Sequence, residues 1–282
     1  MTAMMSHNCY PTAEQNIHDH GNQLVMDTLA IRRIPAGEEI SISYTELLAT
    51  TVSRQHSLLT SKLFVCQCER CRDPREGGSL ASGVKCSSCL KKEAQSAGSL
   101  LPSADPDLWT CSQCPVKVNT VQIQNLIFAI QTNMESALES AVEVEQLERM
   151  LVKYSRVLQP SNVMLVRLKY SLSGLYGRAP GYQLFSLDRN QIERKRILCE
   201  ETLEALDILQ PGYSCRRGMV LYELHTALLL CGRHNIQVNN NKSEVHFHTF
   251  LKCLNQKLNS PKSSRTKVYG RFLKYLEAFH YL

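Results

Sequence analysis

The sequence predicts a chain that is mainly α by content, with a β-rich N-terminal part carrying cysteine zinc sites and a long helical domain after it. Three observations predict this. Eight of the 12 cysteines fall before residue 115, seven of them in knuckle-like spacings. Within the first 44 positions, Gln23–Ile34 is rich in apolar and branched residues with partial alternation and Ile40–Tyr44 alternates strictly, whereas from Val118 onward apolar residues recur at helical spacing. The boundaries expected from these patterns are 1–50 for the β-rich unit, 51–115 for the cysteine-rich region and 116–282 for the helical domain.

In the first unit, Gln23 to Ile34 reads as a strand, Pro35-Ala36-Gly37 as a turn, and Ile40-Ser41-Ile42-Ser43-Tyr44 as a second strand with one buried face. A helix is expected over Val52 to Lys62, with Leu58, Leu59 and Leu63 on its packing side. Cys66-Gln67-Cys68-Glu69-Arg70-Cys71 then places three thiols within six residues. Three thiols occupy three corners of a tetrahedral site, and Zn²⁺ in structural sites takes four N or S ligands. Cys9, in Ser6-His7-Asn8-Cys9-Tyr10-Pro11, supplies the fourth. Cys9, Cys66, Cys68 and Cys71 are therefore expected to share one zinc and to close the intervening chain into a loop.

Arg72 to Gly78 reads as a polar turn. Beyond it stand Cys86-Ser87-Ser88-Cys89 and Cys111-Ser112-Gln113-Cys114, a C-x₂-C-x₂₁-C-x₂-C series just outside the usual zinc-ribbon spacing. The loop between the pairs is polar and poor in core residues, so a second zinc on Cys86, Cys89, Cys111 and Cys114 is expected rather than free thiols. Two disulfides would need an oxidising compartment that nothing else in the sequence suggests. His18, His20 and His56 are solvated surface residues on this reading, because the eight cysteines already fill two sites.

In the helical part, Ile123, Leu126, Ile127 and Ile130 share a face, as do Leu147, Met150 and Leu151. Ser161 reads as the N-cap of a helix running to Tyr176, stopped by Gly177 and Pro180. Leu187 to Leu209 is the clearest amphipathic helix, and Pro211-Gly212 ends it. Further helices fit Met219–Leu230, Glu244–Leu258 and Lys267–Tyr281, with Asn239 to Lys242 as a loop. Paired helices of this length suggest a tetratricopeptide-like stack, although no consensus repeat is readable. Cys199, Cys215, Cys231 and Cys253 lack knuckle spacing and read as small apolar residues. Arg194-Lys195-Arg196 reads as the exposed face of its helix, with nuclear import as the alternative.

Composition bounds the function. With 43% hydrophobic and 21% charged residues the chain is that of a globular protein. The net charge of +6 is uneven: residues 1–115 hold 10 Lys/Arg and 12 Asp/Glu, leaving 22 and 14 for the remainder. A zinc module that grips nucleic acid is itself basic, so direct nucleic-acid binding by these zinc sites is not expected. No signal-peptide pattern and no membrane-length apolar run occurs. A soluble protein of the cytoplasm or nucleus, not secreted, is expected.

Three blocks then occur in order: Ser6 to Pro11, Gly37-Glu38-Glu39 leading to Ser43-Tyr44, and Phe64-Val65 followed by Cys66, Cys68 and Cys71. Together they resemble the C-terminal part of a SET domain and its post-SET zinc loop, as found in the SET and MYND domain family of protein-lysine methyltransferases. The C-x-x-C pairs after Asp73-Pro74-Arg75-Glu76 and the Trp109–Cys111 block look like the arthropod SmydA-type branch. Ile208 to Gly212 and Leu221 to His225 look like that family's tetratricopeptide-like C-terminal domain. The resemblance implies S-adenosylmethionine as cofactor, Tyr44 as the catalytic tyrosine beside the transferred methyl, and Ser6, His7 and Phe64 at the cofactor. It also implies the post-SET zinc ligands already named, and a protein substrate, histone or other, or a protein partner in the helical-domain groove. The departures are specific. Ser6 stands where the family has Asn, Asn8 where it has Ser, Thr12 where it has a second Asn, and Lys62 where several members carry a channel tyrosine. Neither a Gly-x-Gly cofactor loop nor a MYND cysteine-histidine series is present. The expectation is a fragment, short isoform or truncated gene product with little activity of its own, and the alternative is an inactive zinc-stabilised interaction module or transcriptional regulator.

Overall fold

The computed structural model describes residues 4–19, 23–91, 98–139 and 143–233. The helices expected at 244–258 and 267–281, the loop at 239–242 and Cys253 lie outside them.

The N-terminal unit is assembled from pieces distant in sequence. Strand β1 (Ser6–His7) pairs in parallel with β4 (Ser41–Ile42), Ser6 opposite Ser41 and His7 opposite Ile42. Between them β2 (Ala13–Asp19) and β3 (Leu24–Ala30) form an antiparallel hairpin in which Ala13 faces Ala30 and Asp19 faces Leu24. The expected strand at 23–34 is thus shorter, and its partner β2 was not legible because Glu14, Gln15, Asn16 and Asp19 interrupt any apolar pattern. Only Ser41 and Ile42 of the expected Ile40–Tyr44 strand enter the ladder. The hairpin root is tied to the helical part: the Ile31 carbonyl accepts from Tyr213 N at 2.8 Å. Gly212 (φ +94) is required there, since a Cβ would lie 2.1 Å from that carbonyl oxygen.

Helix α1 (Thr51–Lys62) starts at Thr50, whose hydroxyl accepts from Ser53 N. It buries Arg54 and Leu58, whereas Leu59 is half exposed and Leu63 is outside. Leu63 leaves the helix in the left-handed conformation (φ 61), which swings it away from the core and turns the chain toward the cysteines. The expected packing side is therefore wrong at Leu59 and Leu63. Helix α2 (Glu69–Arg72) is a single turn inside the cysteine cluster.

A four-stranded antiparallel meander follows: β5 (Val84–Lys85), then α3 (Ser87–Lys91), β6 (Ser99–Pro102), β7 (Leu108–Cys111) and β8 (Lys117–Asn119), ordered β5-β6-β7-β8. It leads into α4 (Thr120–Glu139), α5 (Val144–Ser155), α6 (Val163–Leu175), α7 (Arg189–Leu209) and α8 (Cys215–Arg233). Successive helices pack on one another from α4 to α8. Buried Ile123, Ile127 and Ile130 of α4 join Leu147 and Leu151 of α5 and Leu165, Leu168 and Leu172 of α6 in one apolar cluster, with Trp109 and Cys86 of the meander at its edge. That burial is the main term holding the helices together.

Two caps correct the expected helix starts. Asn162, not Ser161, caps α6: its Oδ1 accepts from Met164 N at 3.0 Å while its amide donates to the Gly83 carbonyl at 3.0 Å. Ser161 is drawn away instead, donating to the carbonyl of Ser79. Asp188 starts α7 through a reciprocal capping box with Gln191, which places Leu187 just outside the helix.

The basic run in α7 is not an exposed face. Arg194 makes a bidentate pair with Glu148 (2.9 and 2.7 Å), and Arg196 pairs with Glu193 and Glu200. Lys195 is 0% exposed. Its ammonium donates to Ser173 O (2.5 Å), Tyr176 O (2.7 Å) and Glu223 Oε2 (2.5 Å), and Glu223 also accepts from Arg178. A buried ammonium needs three acceptors, and this one has them. Cys199 and Cys231 are buried as expected of small apolar residues, while Cys215 is half buried.

Candidate metal centres and the Tyr44 strand end

The first cluster is built by the bend after β1, which delivers Cys9, by the turn after α1, which delivers Cys66 and Cys68, and by α2, which delivers Cys71. The Gln55 side chain sets that turn, accepting from Cys66 N (2.9 Å) and donating to Cys66 O (2.7 Å). The four Sγ atoms lie within 4.8 Å of one another, and Cys9 Sγ is 3.5 Å from Cys71 Sγ. A tetrahedron of Zn–S bonds near 2.3 Å separates its sulfurs by about 3.8 Å, whereas a disulfide needs about 2.05 Å. The cluster has the donor set and spacing of a closed four-thiolate zinc site. The thiols also hold their protons unequally. Hydrogen bonds from Cys71 and Cys9 pull Cys68 down, the bonds to Cys68 and Cys71 push Cys9 up, and burial pushes Cys66 up to about 12. A divalent cation bound by all four would displace the remaining protons.

Around this cluster stands a buried ion group that sequence reading missed. Glu76, expected in a polar turn, is almost fully buried. Its Oε2 accepts from Arg54 Nη1 at 3.0 Å and from Arg70 Nε at 2.7 Å, and its Oε1 accepts from Ser82. Burial alone would raise the Glu76 carboxyl, but Arg70 and Arg54 outweigh it and hold it below the usual carboxylate range. Arg54 also points Nη2 at Cys71 Sγ, 3.8 Å away. The backbone turns under Glu76 with positive φ at Glu76, Gly77 and Gly78, where the two glycines carry that conformation without strain.

The second cluster sits in the meander. Cys86 follows β5, Cys89 is on α3, Cys111 ends β7 and Cys114 lies in the next turn. Cys86 and Cys114 sulfurs are 3.6 Å apart, and those of Cys89 and Cys111 are 3.7 Å apart. Gly98 closes the cradle: a Cβ there would lie 2.5 Å from Cys111 Sγ and 3.1 Å from Cys89 Sγ. Spacing and donors again fit one tetrahedral zinc. Although burial opposes it, the backbone N–H groups of Gln113 and Cys114 bring the Cys111 thiol down to about 7.

Next to the first cluster His7, Tyr44 and Phe64 come together. The His7 ring centroid is 5.4 Å from that of Tyr44 and 5.9 Å from that of Phe64. His7 Nδ1 accepts from Tyr44 N (3.0 Å), and Nε2 faces Cys9 Sγ (3.3 Å). Burial lowers the His7 pKa; Cys68 raises it and Arg54 lowers it further. The Tyr44 hydroxyl donates to Met5 O, and Lys62 Nζ lies 5.7 Å above the Tyr44 ring. Ser6 lies apart from this group. Neighbours on a strand face opposite ways, and the Ser6 hydroxyl donates to Glu39 Oε1 at 2.5 Å. His56 is exposed on α1 and lines a surface cavity with Phe128; it belongs to neither cysteine cluster. The side chains of His18 and His20 fall outside the described ones.

Among the described residues no helix is long and apolar enough to cross a membrane. Residues 1–45 match the SET domain family. SET domain-containing protein SmydA-8, isoform B, of Drosophila melanogaster is 27% identical over 79% of this chain and 48% of its own length. The histone-lysine N-methyltransferase ASHR1 of Arabidopsis thaliana is 27% identical over 49% of the chain and 28% of that protein. The histone-lysine N-methyltransferase SMYD3 of Mus musculus is 22% identical over 57% of the chain and 37% of that protein. The chain spans about half the length of the SmydA-8 relatives it matches. Its N-terminal segment matches the SET domain, and over 79% of its length the chain is similar to the SET domain-containing SmydA-8 proteins.

Proposed function

We propose that this chain contributes the tyrosine-bearing and zinc-stapled part of an S-adenosylmethionine-dependent protein-lysine methyltransferase of the SET and MYND type. The observation that carries the reading is the meeting of His7, Tyr44 and Phe64 against a four-cysteine cluster, with His7 and Tyr44 inside the matched SET segment. The half-buried rings of His7 and Phe64 offer an apolar face suited to an adenosyl group. When bound, the cofactor supplies an electrophilic methyl on a sulfonium. Transfer to an amine needs in-line positioning and a dry approach more than acid–base chemistry. On this reading the Tyr44 hydroxyl orients the incoming lysine amine, and Phe64 and His7 exclude water on the adenosyl side. Cys9, Cys66, Cys68 and Cys71 hold the first zinc, and Cys86, Cys89, Cys111 and Cys114 the second. With all four positions filled by sulfur, each zinc cross-links chain and leaves no site for a substrate. The protein substrate or partner lies along the helical domain, and thiolate–zinc chemistry suits the reducing cytoplasm or nucleus.

Titration calorimetry of the zinc-loaded chain with S-adenosylmethionine tests the reading. Micromolar binding that Phe64→Ala weakens by tenfold or more supports it. No detectable heat with two zinc per chain favours a second reading, a zinc-stabilised interaction module without cofactor. One observation favours that alternative: the hydroxyls of Ser6 and Tyr44 are both committed to acceptors within the protein, Glu39 and Met5.

A further inference from the structure

We propose that His7 is a positioning residue that ties the Tyr44 strand end to the first zinc site through Cys9. The ladder between β1 and β4 ends at Ile42, whose carbonyl accepts from Asn8 N at 3.0 Å. Tyr44 lies two residues further on, beyond the last strand pair. Its backbone amide is held by the His7 side chain instead, at 3.0 Å from Nδ1.

That contact decides the tautomer. A backbone N–H can only donate, so Nδ1 must be the acceptor, and the neutral ring carries its proton on Nε2. Nε2 is 3.3 Å from Cys9 Sγ, so the N–H points at a sulfur that the zinc site requires as a thiolate. Both ring nitrogens are thus used within the protein. The resulting chain of contacts runs from the Tyr44 amide through the imidazole and Cys9 to the metal, and from there to Cys66, Cys68 and Cys71. Outer-shell donors of this kind orient metal ligands and stabilise them. Here the same imidazole also accepts, through Nδ1, from the Tyr44 amide 37 residues away, in the one segment whose placement the methyl-transfer reading depends on. The inference rests on the zinc assignment in that reading, and it stands whether or not the cofactor binds.

The test uses the full chain, loaded with zinc. Long-range ¹H–¹⁵N correlation of the imidazole should show the proton on Nε2, and the Tyr44 amide should exchange slowly with solvent. In His7→Leu, Tyr44 exchange should accelerate at least tenfold, and the first site should bind zinc about 10- to 100-fold more weakly. The second site should be unaffected and serves as the internal reference. His7→Gln, which keeps one acceptor and one donor, should restore most of the Tyr44 protection; a purely space-filling role would not be rescued this way. A proton on Nδ1 in the wild-type protein would overturn the proposal even if His7→Leu failed to fold. So would unchanged Tyr44 exchange in folded His7→Leu. Wild-type protein that binds only one zinc, with none lost on Cys9→Ser, would instead remove the zinc assignment itself.

Discussion

Replacing Lys195 by methionine is expected to destabilise the helical domain by about 3 kcal/mol. The side chain is 0% exposed and satisfies three acceptors: the Ser173 and Tyr176 carbonyls at the end of α6, and Glu223 on α8. Methionine fills most of the same volume, so little of the loss comes from a cavity. The loss comes from Glu223, which keeps only Arg178, itself 40% exposed at the side chain. Removing one partner of a buried ion pair typically costs ~3–5 kcal/mol because the other charge stays buried. The remaining Arg178 contact places this case at the low end of that range. Urea unfolding of the full chain, followed by far-UV circular dichroism, measures it, and the melting point should drop by roughly 6–12 °C for a unit of this size. The double variant Lys195→Met, Glu223→Met removes the stranded charge and should recover at least half of the loss, since buried pairs replaced together by apolar residues are often neutral. A single-variant cost below about 1 kcal/mol, or a double variant less stable than the single, would refute the reasoning.

Gly98→Ala puts a methyl 2.5 Å from Cys111 Sγ, so elemental analysis should find one zinc per chain instead of two; full loading would show that the cradle is not tight. Cys68→Ser should cost the first zinc and unfold the β1–β4 region around it, because structural zinc carries on the order of 10 kcal/mol of folding energy. Chelator-treated protein that kept its melting point would remove both zinc assignments. Burial holds His225 below its ordinary value of 6.5, so the unfolded chain takes up this proton at a higher pH than the folded one. Its contribution is full above about 6.5 and declines as pH falls toward the depressed value. His225→Gln should flatten the stability profile between pH 7 and 5, and an identical slope in both proteins would rule the histidine out as its source.

Both cysteine clusters could be read from the chain because their chemistry is local. Knuckle pairs lie two to five positions apart, and thiols at that spacing have few uses other than a metal. Even Cys9, 57 positions before Cys66, was recoverable because three corners of a tetrahedron ask for a fourth. The apolar rows of α4, α5 and α7 were legible for a related reason, since helical period is a property of neighbours in sequence. Charged residues were misread wherever their partners lay elsewhere. Lys195 sits between two arginines and looks solvent-facing until α8 brings Glu223 across from 28 residues away. Glu76 looks like part of a polar turn until Arg54 and Arg70 close over it. Gln55 and Gly98 carry no motif at all, and their roles exist only against the Cys66 backbone and the Cys111 sulfur. Residue type and spacing by themselves determined which atoms could bind metal and which faces would be apolar. Tertiary structure alone decided which charges are buried and what the two nitrogens of His7 hold, because burial and pairing are properties of the space between distant segments.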